Sequence, residues 1–358
     1  MIPSGPIWPP GPGSVWPLRR SPFHRAKELQ VFLRGRFMGT NKSKYLGLGL
    51  GAGLFILYPH LFTLPFPRHL MIMIFLYATL GLAWNMIGGY AGQISLGHVI
   101  FFGTGAYTST LLLTKLGLSP WVGMLAGGGL SVVISFIIGW PCFKLAGHYF
   151  AIATIAIAEI AQVVMLNWDW AGGAVGLTLP ILPEAFINFE FHSSKLPYYY
   201  IAFGIFLTAL GVTYLVDRSK LGYYFKAIKG DLEAAKSVGV NVIKYKFIAL
   251  AISAFFTSLC GSFYAQYVLF IDPDSVFVMS ISIIACLIAT LGGVGTVWGP
   301  AIGAFILIPI SEMTRIYLGG GGKGTDLIIY GLLIMIISIY QPFGVIGIAK
   351  RFQKKGSR

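Results

Sequence analysis

Charged residues are scarce in this sequence. They make up 11% of the 358 residues, whereas hydrophobic residues make up 56%. An average soluble domain contains roughly 25% charged residues. So few charges cannot cover a surface that faces water. This composition excludes an ordinary soluble protein and predicts that the chain lies in a lipid bilayer.

Cysteine and catalytic motifs are also lacking. Cys142, Cys260 and Cys286 lie in or beside apolar runs without CxxC spacing, which argues against a disulfide framework or a zinc site. The run GGGGKGTD (319–326) has Gly rather than Ser or Thr after its lysine, so it is not the phosphate-binding loop of ATPases. No nucleophile and base converge on one face. We therefore expect a protein that is not an enzyme and that binds no cofactor or metal itself.

Long apolar runs, in contrast, occur along most of the chain. Each is long enough to cross a bilayer, which takes about 20 residues, and none alternates with the period of two that barrel strands require. The sequence therefore predicts an all-α polytopic membrane protein with about ten transmembrane helices. The run 276–317 is broken by GGVGTVWGP, which fits either a hairpin or a re-entrant segment. The predicted spans are 46–64, 68–88, 98–116, 120–141, 148–167, 199–216, 243–268, 276–292, 298–317 and 326–345.

The distribution of Lys and Arg predicts the sidedness of these spans. Eight basic residues fall within 19–44, seven within 217–246 and five within 350–358, whereas the loop 168–198 has three acidic residues and one lysine. Basic loops are retained on the cytoplasmic side. We therefore expect both termini and the loop 217–246 in the cytoplasm. The net charge of +14 reflects this sidedness and not a surface for nucleic acid.

These features divide the chain into three predicted regions. Residues 1–45 form a Pro-rich, basic segment that we expect to be disordered, and one hypothesis is that translation begins at Met38. Residues 46–345 form the transmembrane domain, including the cytoplasmic loop 217–246. Residues 346–358 form a basic cytoplasmic tail.

The cytoplasmic loop contains a short predicted helix. Asp231 can cap a helix over 232–238, and Gly239 can end it in the left-handed conformation. Its two alanines, Ala234 and Ala235, would give a low exposed face that fits a groove on a partner. The alternative is a solvated loop that is held inside by its charge. Residues expected at the rim of the face are Lys229, Glu233 and Lys236.

Two glycine-rich stretches interrupt the apolar runs. They are GGYAGQISLGHVIFFGTGAY (88–107) and LGGVGTVWGPAIGA (291–304). Backbone freed from helical bonds is tolerated in a membrane only beside protein or a water-filled cavity, and transporters place substrate paths there. The alternative is a tight turn with close packing. The candidates for a translocation path are Gly89, Gly92, Gln93, Ser95 and His98.

Glu159 is a further candidate for the path. It lies mid-span in AIAIAEIAQ, with no basic residue near it in sequence. Ionisable residues inside membranes are costly and usually functional. Its carboxyl group is therefore expected to pair with another helix, to line the path, or to be protonated.

Several blocks of the sequence, in the right order along the chain, resemble one protein family. NMIGGYAGQISLGHVIFFGTGAYTSTLL (85–112), KLAGHYFAIATIAIAEI (144–160), NWDWAGGAVGL (167–177) and the block 226–265 resemble the permease subunits of branched-chain amino-acid ABC importers. The sequence resembles the LivM-type subunit more than its LivH-type partner. The residues EAAKSVG (233–239) match the EAAxxxG start of the coupling loop of such permeases, but the later Ile-x-Leu-Pro part of that motif is missing.

This resemblance implies a fold, a location and partners. It implies the ABC importer permease fold in the bacterial cytoplasmic (inner) membrane, with ATP and Mg bound by two separate cytoplasmic subunits. It also implies a second, LivH-type permease subunit and an extracytoplasmic solute-binding protein. The solute could instead be urea, a short amide or another amino acid. An ion-coupled secondary transporter is the rival class, but it leaves EAAxxxG unexplained. The residues implied in ATPase coupling are Lys229, Asp231, Glu233, Ala234, Ala235 and Gly239.

Overall fold

The computed structural model describes most of the predicted transmembrane domain. The chain divides into the units Met1–Tyr58 and Pro59–Arg358, and the helices discussed below all lie in the second unit. The N-terminal segment 1–45, about half of the span 46–64, most of the span 326–345 and most of the basic tail lie outside the described residues. Those described are 53, 55–62, 64–145, 147–191, 193–317, 331–332 and 344–347, with backbone only at Arg315 and Tyr317.

The second unit is largely helical. A two-stranded antiparallel sheet is the exception, with β1 (Leu177–Thr178) paired to β2 (Phe270–Ile271). The helix α1 continues directly into a π-helical turn at Asn85–Tyr90. The helices are α1 (Pro65–Trp84), α2 (His98–Leu116), α3 (Pro120–Cys142), α4 (His148–Leu166), α5 (Leu196–Arg218), α6 (Lys220–Gly230), α7 (Leu232–Ser237), α8 (Val242–Val268), α9 (Pro273–Val276), α10 (Ser280–Gly292) and α11 (Gly299–Tyr317).

The helix lengths agree with a multi-pass membrane protein. Among the described residues, seven helical segments are long and apolar enough to cross a bilayer, with α9 and α10 counted together as Pro273–Gly292, and Gly299–Thr314 is a shorter apolar helix. Together they match eight of the predicted spans, from 68–88 to 298–317. The run from 276 onward forms two helices joined by the turn 293–298, which is the hairpin alternative.

The core lies around α1 and α8. Within their most apolar stretches, 89% of the residues of α1 and its π-helical turn and 72% of those of α8 are buried. α2 and α8 approach backbone to backbone, because a Cβ at Gly261 would overlap the carbonyl of Phe102 and one at Gly105 would overlap that of Ser258. Small residues at such crossings allow helices to associate closely in membranes.

The helix α4 lies at the periphery. Only 17% of its most apolar stretch is buried. Its buried residues are Phe150, Thr154, Ala158 and Met165, which recur at helical spacing on one side. Most of the remaining surface of α4 is not covered by the described part of the chain.

The loops form two ends of the bundle. We call the loops 91–97, 143–147, 219–241 and 293–298 the basic end. The loops 117–119, 167–195 and 269–279 form the acidic end. At the acidic end, β1 pairs with β2, and Trp121 donates from Nε1 to the carbonyl of Phe186 at 2.7 Å.

Candidate functional site

The helix α7 begins with the predicted cap. The carboxylate of Asp231 accepts hydrogen bonds from the backbone N–H groups of Glu233 (2.9 Å) and Ala234 (3.0 Å). These N–H groups have no partner inside the helix, so the side chain satisfies them. The cap predicted from the sequence is confirmed.

The end of α7 also agrees with the sequence prediction. Gly239 has φ of 84°, in the left-handed region that favours glycine. Its N–H donates to the carbonyl of Lys236 at 2.9 Å, and the N–H of Val240 donates to the carbonyl of Ala235 at 3.1 Å. These two bonds form a Schellman motif. The six residues of α7 are therefore bounded by a hydrogen-bonded cap at each end.

The two alanines of α7 face in different directions. Ala234 is exposed, as predicted, but Ala235 is only 4% exposed and packs with Ile228 and Val242. The expectation that both alanines form the exposed face was wrong, because Ala235 attaches α7 to α6 and α8. An exposed ion pair between Lys236 and Glu233 (2.8 Å) lies on the solvent side of the helix.

Lys229 lies elsewhere than predicted. Its amine donates to the carbonyl of Gly89 at 2.8 Å instead of standing at the rim of α7. Lys229 as a whole is exposed, whereas its hydrogen bond to that carbonyl is partly buried. This burial lowers the pKa of Lys229. The predicted position at the rim was wrong because a long cationic side chain can turn toward an unpaired carbonyl within its reach.

The carbonyl of Gly89 is available because the π-helical turn that continues α1 ends at Tyr90. The last carbonyls of a helix lack intrahelical partners, and the helix dipole favours a cation at this end. Gly92 permits the approach of the lysine: it has φ of 72°, and a Cβ there would lie 3.0 Å from Cγ of Lys229. Gly89 and Gly92 thus allow close packing here, and their role in a path stays a prediction.

Asn85 joins the same place to the turn between α10 and α11. Its Nδ2 donates to the carbonyl of Thr296 at 3.0 Å, and its Oδ1 accepts from the N–H of Gly295 at 2.8 Å. The two glycine-rich stretches of the sequence therefore meet. We call Asn85, Gly89, Gly92, Lys229, Gly295 and Thr296 the Lys229 joint.

Asn85, Gly295 and Thr296 were missed in the sequence analysis. The available signal was an amide at the edge of an apolar run, directly before a glycine pair, in NMIGG. A fully buried amide needs hydrogen-bond partners. Sequence alone does not show that its partners lie 210 and 211 residues away.

Ser95 and His98, two of the path candidates, are buried in the bundle. His98 is fully buried, with Nε2 2.7 Å from Oγ of Ser253. The carbonyl of Ser95 accepts from Nε1 of Trp84 at 2.7 Å. Gln93 is half-buried. These contacts hold the start of α2 against its neighbours, and a role in a path stays a prediction.

Glu159 is exposed on α4. The described part of the chain provides it with no hydrogen bond or ion pair. Its neighbour Gln162 instead donates to the carboxylate of Asp274 at 2.9 Å. Of the three expectations for Glu159, pairing with another described helix is therefore not observed.

Known proteins support an assignment by family. The family described as "Branched-chain amino acid transport system / permease component" matches residues 67–338. The permease protein LivM of a high-affinity branched-chain amino acid transport system from Salmonella typhimurium is 27% identical over 296 residues, which cover 76% of this chain and 68% of that protein. The corresponding LivH of the same organism is 24% identical over 285 residues, covering 76% and 91%.

A more distant relative also matches the chain. A probable branched-chain amino acid transport permease protein LivM from Methanocaldococcus jannaschii is 23% identical over 314 residues, covering 76% of this chain and 90% of that protein. No solved structure matches the chain. Because the family match extends over most of the chain, from the start of α1 past the end of α11, the chain belongs to the permease components of branched-chain amino acid transport systems.

Proposed function

We propose that the chain is a membrane permease subunit of an ATP-driven importer of branched-chain amino acids. In this proposal α7 seats in separate cytoplasmic ATPase subunits, which bind ATP and Mg. The membrane is the bacterial cytoplasmic membrane, and the basic end faces the cytoplasm. The observation that carries the proposal is the capped helix α7, attached by Ala235 and connected through Lys229 to the end of α1.

The construction of α7 supports a docking role. A short segment that is fixed by caps loses little conformational freedom when it binds a partner. Ala234 leaves a low surface, and the exposed charges of Glu233 and Lys236 can set the orientation of a partner. Rim charges of this kind affect the rate and specificity of binding more than its strength.

The Lys229 joint supports a route by which a displacement of α7 would reach the membrane helices. Ala235 packs with Ile228 of α6, and the next residue of α6 is Lys229, which binds the carbonyl of Gly89. Asn85 then connects the end of α1 to the turn 293–298. A displacement of α7 would therefore act on the ends of α1, α10 and α11. In an importer these helix ends would open or close the cytoplasmic side of the path.

The acidic end is the proposed side for the solute-binding protein. Its loops carry Asp169, Glu184, Asp272 and Asp274, with Lys195 as a basic residue. Exposed aromatic side chains, including Trp168 and Trp170, lie on the same loops. Aromatic residues are enriched where proteins dock and also at membrane interfaces.

The proposal is tested in proteoliposomes that contain the full chain with its second permease and ATPase subunits, with the solute-binding protein added on the side of the acidic end. Uptake of leucine should require ATP and persist when a protonophore removes the proton gradient; urea should not compete. Uptake that needs the proton gradient and not ATP would identify the ion-coupled alternative and overturn the proposal.

A matched pair of variants tests the docking surface in the same preparation. Ala234→Arg should prevent the ATPase subunits from co-purifying with the chain. Val175→Arg, at a residue that is 84% exposed on the acidic end, should leave co-purification unchanged. Normal co-purification and uptake of the Ala234→Arg protein would contradict docking through α7.

A further inference from the structure

The uncovered surface of α4 contains an acidic residue near the middle of a helix that is long and apolar enough to cross a membrane. Its exposed residues recur every three or four positions and thus form one stripe along the helix. Glu159 is the twelfth of 19 residues, which places it about 3 Å from the helix midpoint at 1.5 Å per residue. We call these residues the α4 stripe: Tyr149, Ile152, Ala156, Glu159, Ile160 and Val163.

The helix α3 provides a comparison within the same chain. It also exposes a stripe, but the stripe is apolar throughout and includes Val122, Leu125, Val133 and Ile137. Such a surface suits hydrocarbon. The α4 stripe differs by the carboxyl group of Glu159, which lipid tails cannot hydrogen-bond and which is costly to place among them.

The described part of the chain does not offer a cation to Glu159. The described residues give it no partner, and the sequences of the spans 46–64 and 326–345 contain neither Lys nor Arg. A donor side chain on another molecule would satisfy this carboxyl group.

We propose that the α4 stripe packs against the second permease subunit, and that Glu159 accepts a hydrogen bond from a donor side chain of that subunit. The proposal deepens the proposed function and rests on it for the existence of a second permease. The partner is a different polypeptide and not a second copy of this chain. A two-fold interface of identical stripes would place two Glu159 carboxylates near each other, and like charges at low dielectric repel strongly.

The comparisons agree with a partner of this kind. In Salmonella typhimurium, both LivM and LivH are named as permease proteins of a high-affinity branched-chain amino acid transport system, and both are similar to this chain. A LivH-type subunit that presents Lys, Arg, Asn or Gln at mid-membrane depth would complement the α4 stripe.

Photocrosslinking tests the surface without changing Glu159. Benzoylphenylalanine replaces Ile160 on the α4 stripe or, as the matched control, Ile137 on α3; these isoleucines are 61% and 67% exposed. The full chain is co-expressed with the second permease subunit and irradiated in membranes. Crosslinks to that subunit should form from position 160 and at least tenfold less from position 137. Equal yields, or crosslinks from 160 to lipid or to a second copy, would overturn the proposal.

A substitution series tests the role of the carboxyl group. Glu159→Leu should lower the amount of co-purified second permease at least tenfold, while Glu159→Gln should retain most of it because the amide oxygen still accepts a hydrogen bond. If Glu159 faced lipid, Leu would leave assembly unchanged or increase the yield of the chain, which would overturn the proposal. Neither assay uses ATP or the ATPase subunits, so this result is separate from the test of coupling.

Discussion

The two ends of the bundle are constructed in different ways. At the acidic end, long loops pair with each other through β1 and β2, and aromatic rings such as those of Trp121 and Phe186 stack 4.9 Å apart. At the basic end, side chains bind directly to the backbone at helix ends, as Lys229 does at Gly89 and Asn85 at Thr296. The difference indicates that the acidic end covers the helices, whereas the basic end can transmit motion to them.

The largest effect is expected from Ala235→Arg. A guanidinium group at a residue that is 4% exposed would separate α7 from Ile228 and Val242. We expect transport to fall to background and the amides of α7 to exchange rapidly in hydrogen-exchange measurements.

Ala234→Arg changes the neighbouring, exposed residue and is compared with Ala235→Arg. It should block transport while hydrogen exchange of α7 stays as in the native protein. Identical exchange in the two variants would show that α7 is not attached through Ala235.

Asn85→Ala should reduce the stability of the bundle at the basic end. It removes partners from the N–H of Gly295 and the carbonyl of Thr296, and unsatisfied buried groups cost about 1–3 kcal/mol each. Thermal unfolding in detergent should show a lower Tm. Thr104→Val removes a bond within its own helix and is the control, with a smaller expected change. A Tm equal to that of the native chain would argue against the connection to the turn 293–298.

Gly239→Val should have an intermediate effect. At φ of 84° a residue with a Cβ is strained by about 1–2 kcal/mol, although no atom lies within 4 Å of the added group. We expect partial loss of transport with insertion into the membrane retained. Gly230→Val is the control, because its site is equally open and its φ does not favour glycine. An equal loss of transport in both variants would contradict a role of the Schellman motif in transport.

The smallest effect is expected at the acidic end. Gln162→Leu removes the hydrogen bond to Asp274, which is exposed, and such changes usually alter stability by at most about 0.5 kcal/mol. The ratio of leucine transported to ATP hydrolysed should stay within twofold of the native value. A strong change in that ratio would contradict the contrast between the two ends.

Local features could be predicted from the sequence because they depend on neighbours in the chain. The Asp231 cap reaches two and three residues ahead, and Gly239 needs only its own backbone conformation. The apolar runs likewise predicted the spans, since each helix satisfies its own backbone in lipid.

Contacts between distant segments could not be predicted. The bond from Lys229 to Gly89 joins residues 140 positions apart, and the burial of Ala235 depends on packing with α6 and α8. Helical periodicity shows that Glu159 shares a face with Ala156 and Ile160, but not whether the rest of the bundle covers that face.

The central claim is tested most directly by the coupling ratio of Lys229→Met in proteoliposomes. The apolar side chain keeps the stem and removes the donor to Gly89. Lys220→Met, on the same helix at a residue with no described hydrogen bond or ion pair, is the control. We predict that Lys229→Met retains bound ATPase subunits and ATP hydrolysis while leucine transported per ATP falls at least tenfold. A ratio equal to that of the native protein and of Lys220→Met would contradict transmission through the Lys229 joint.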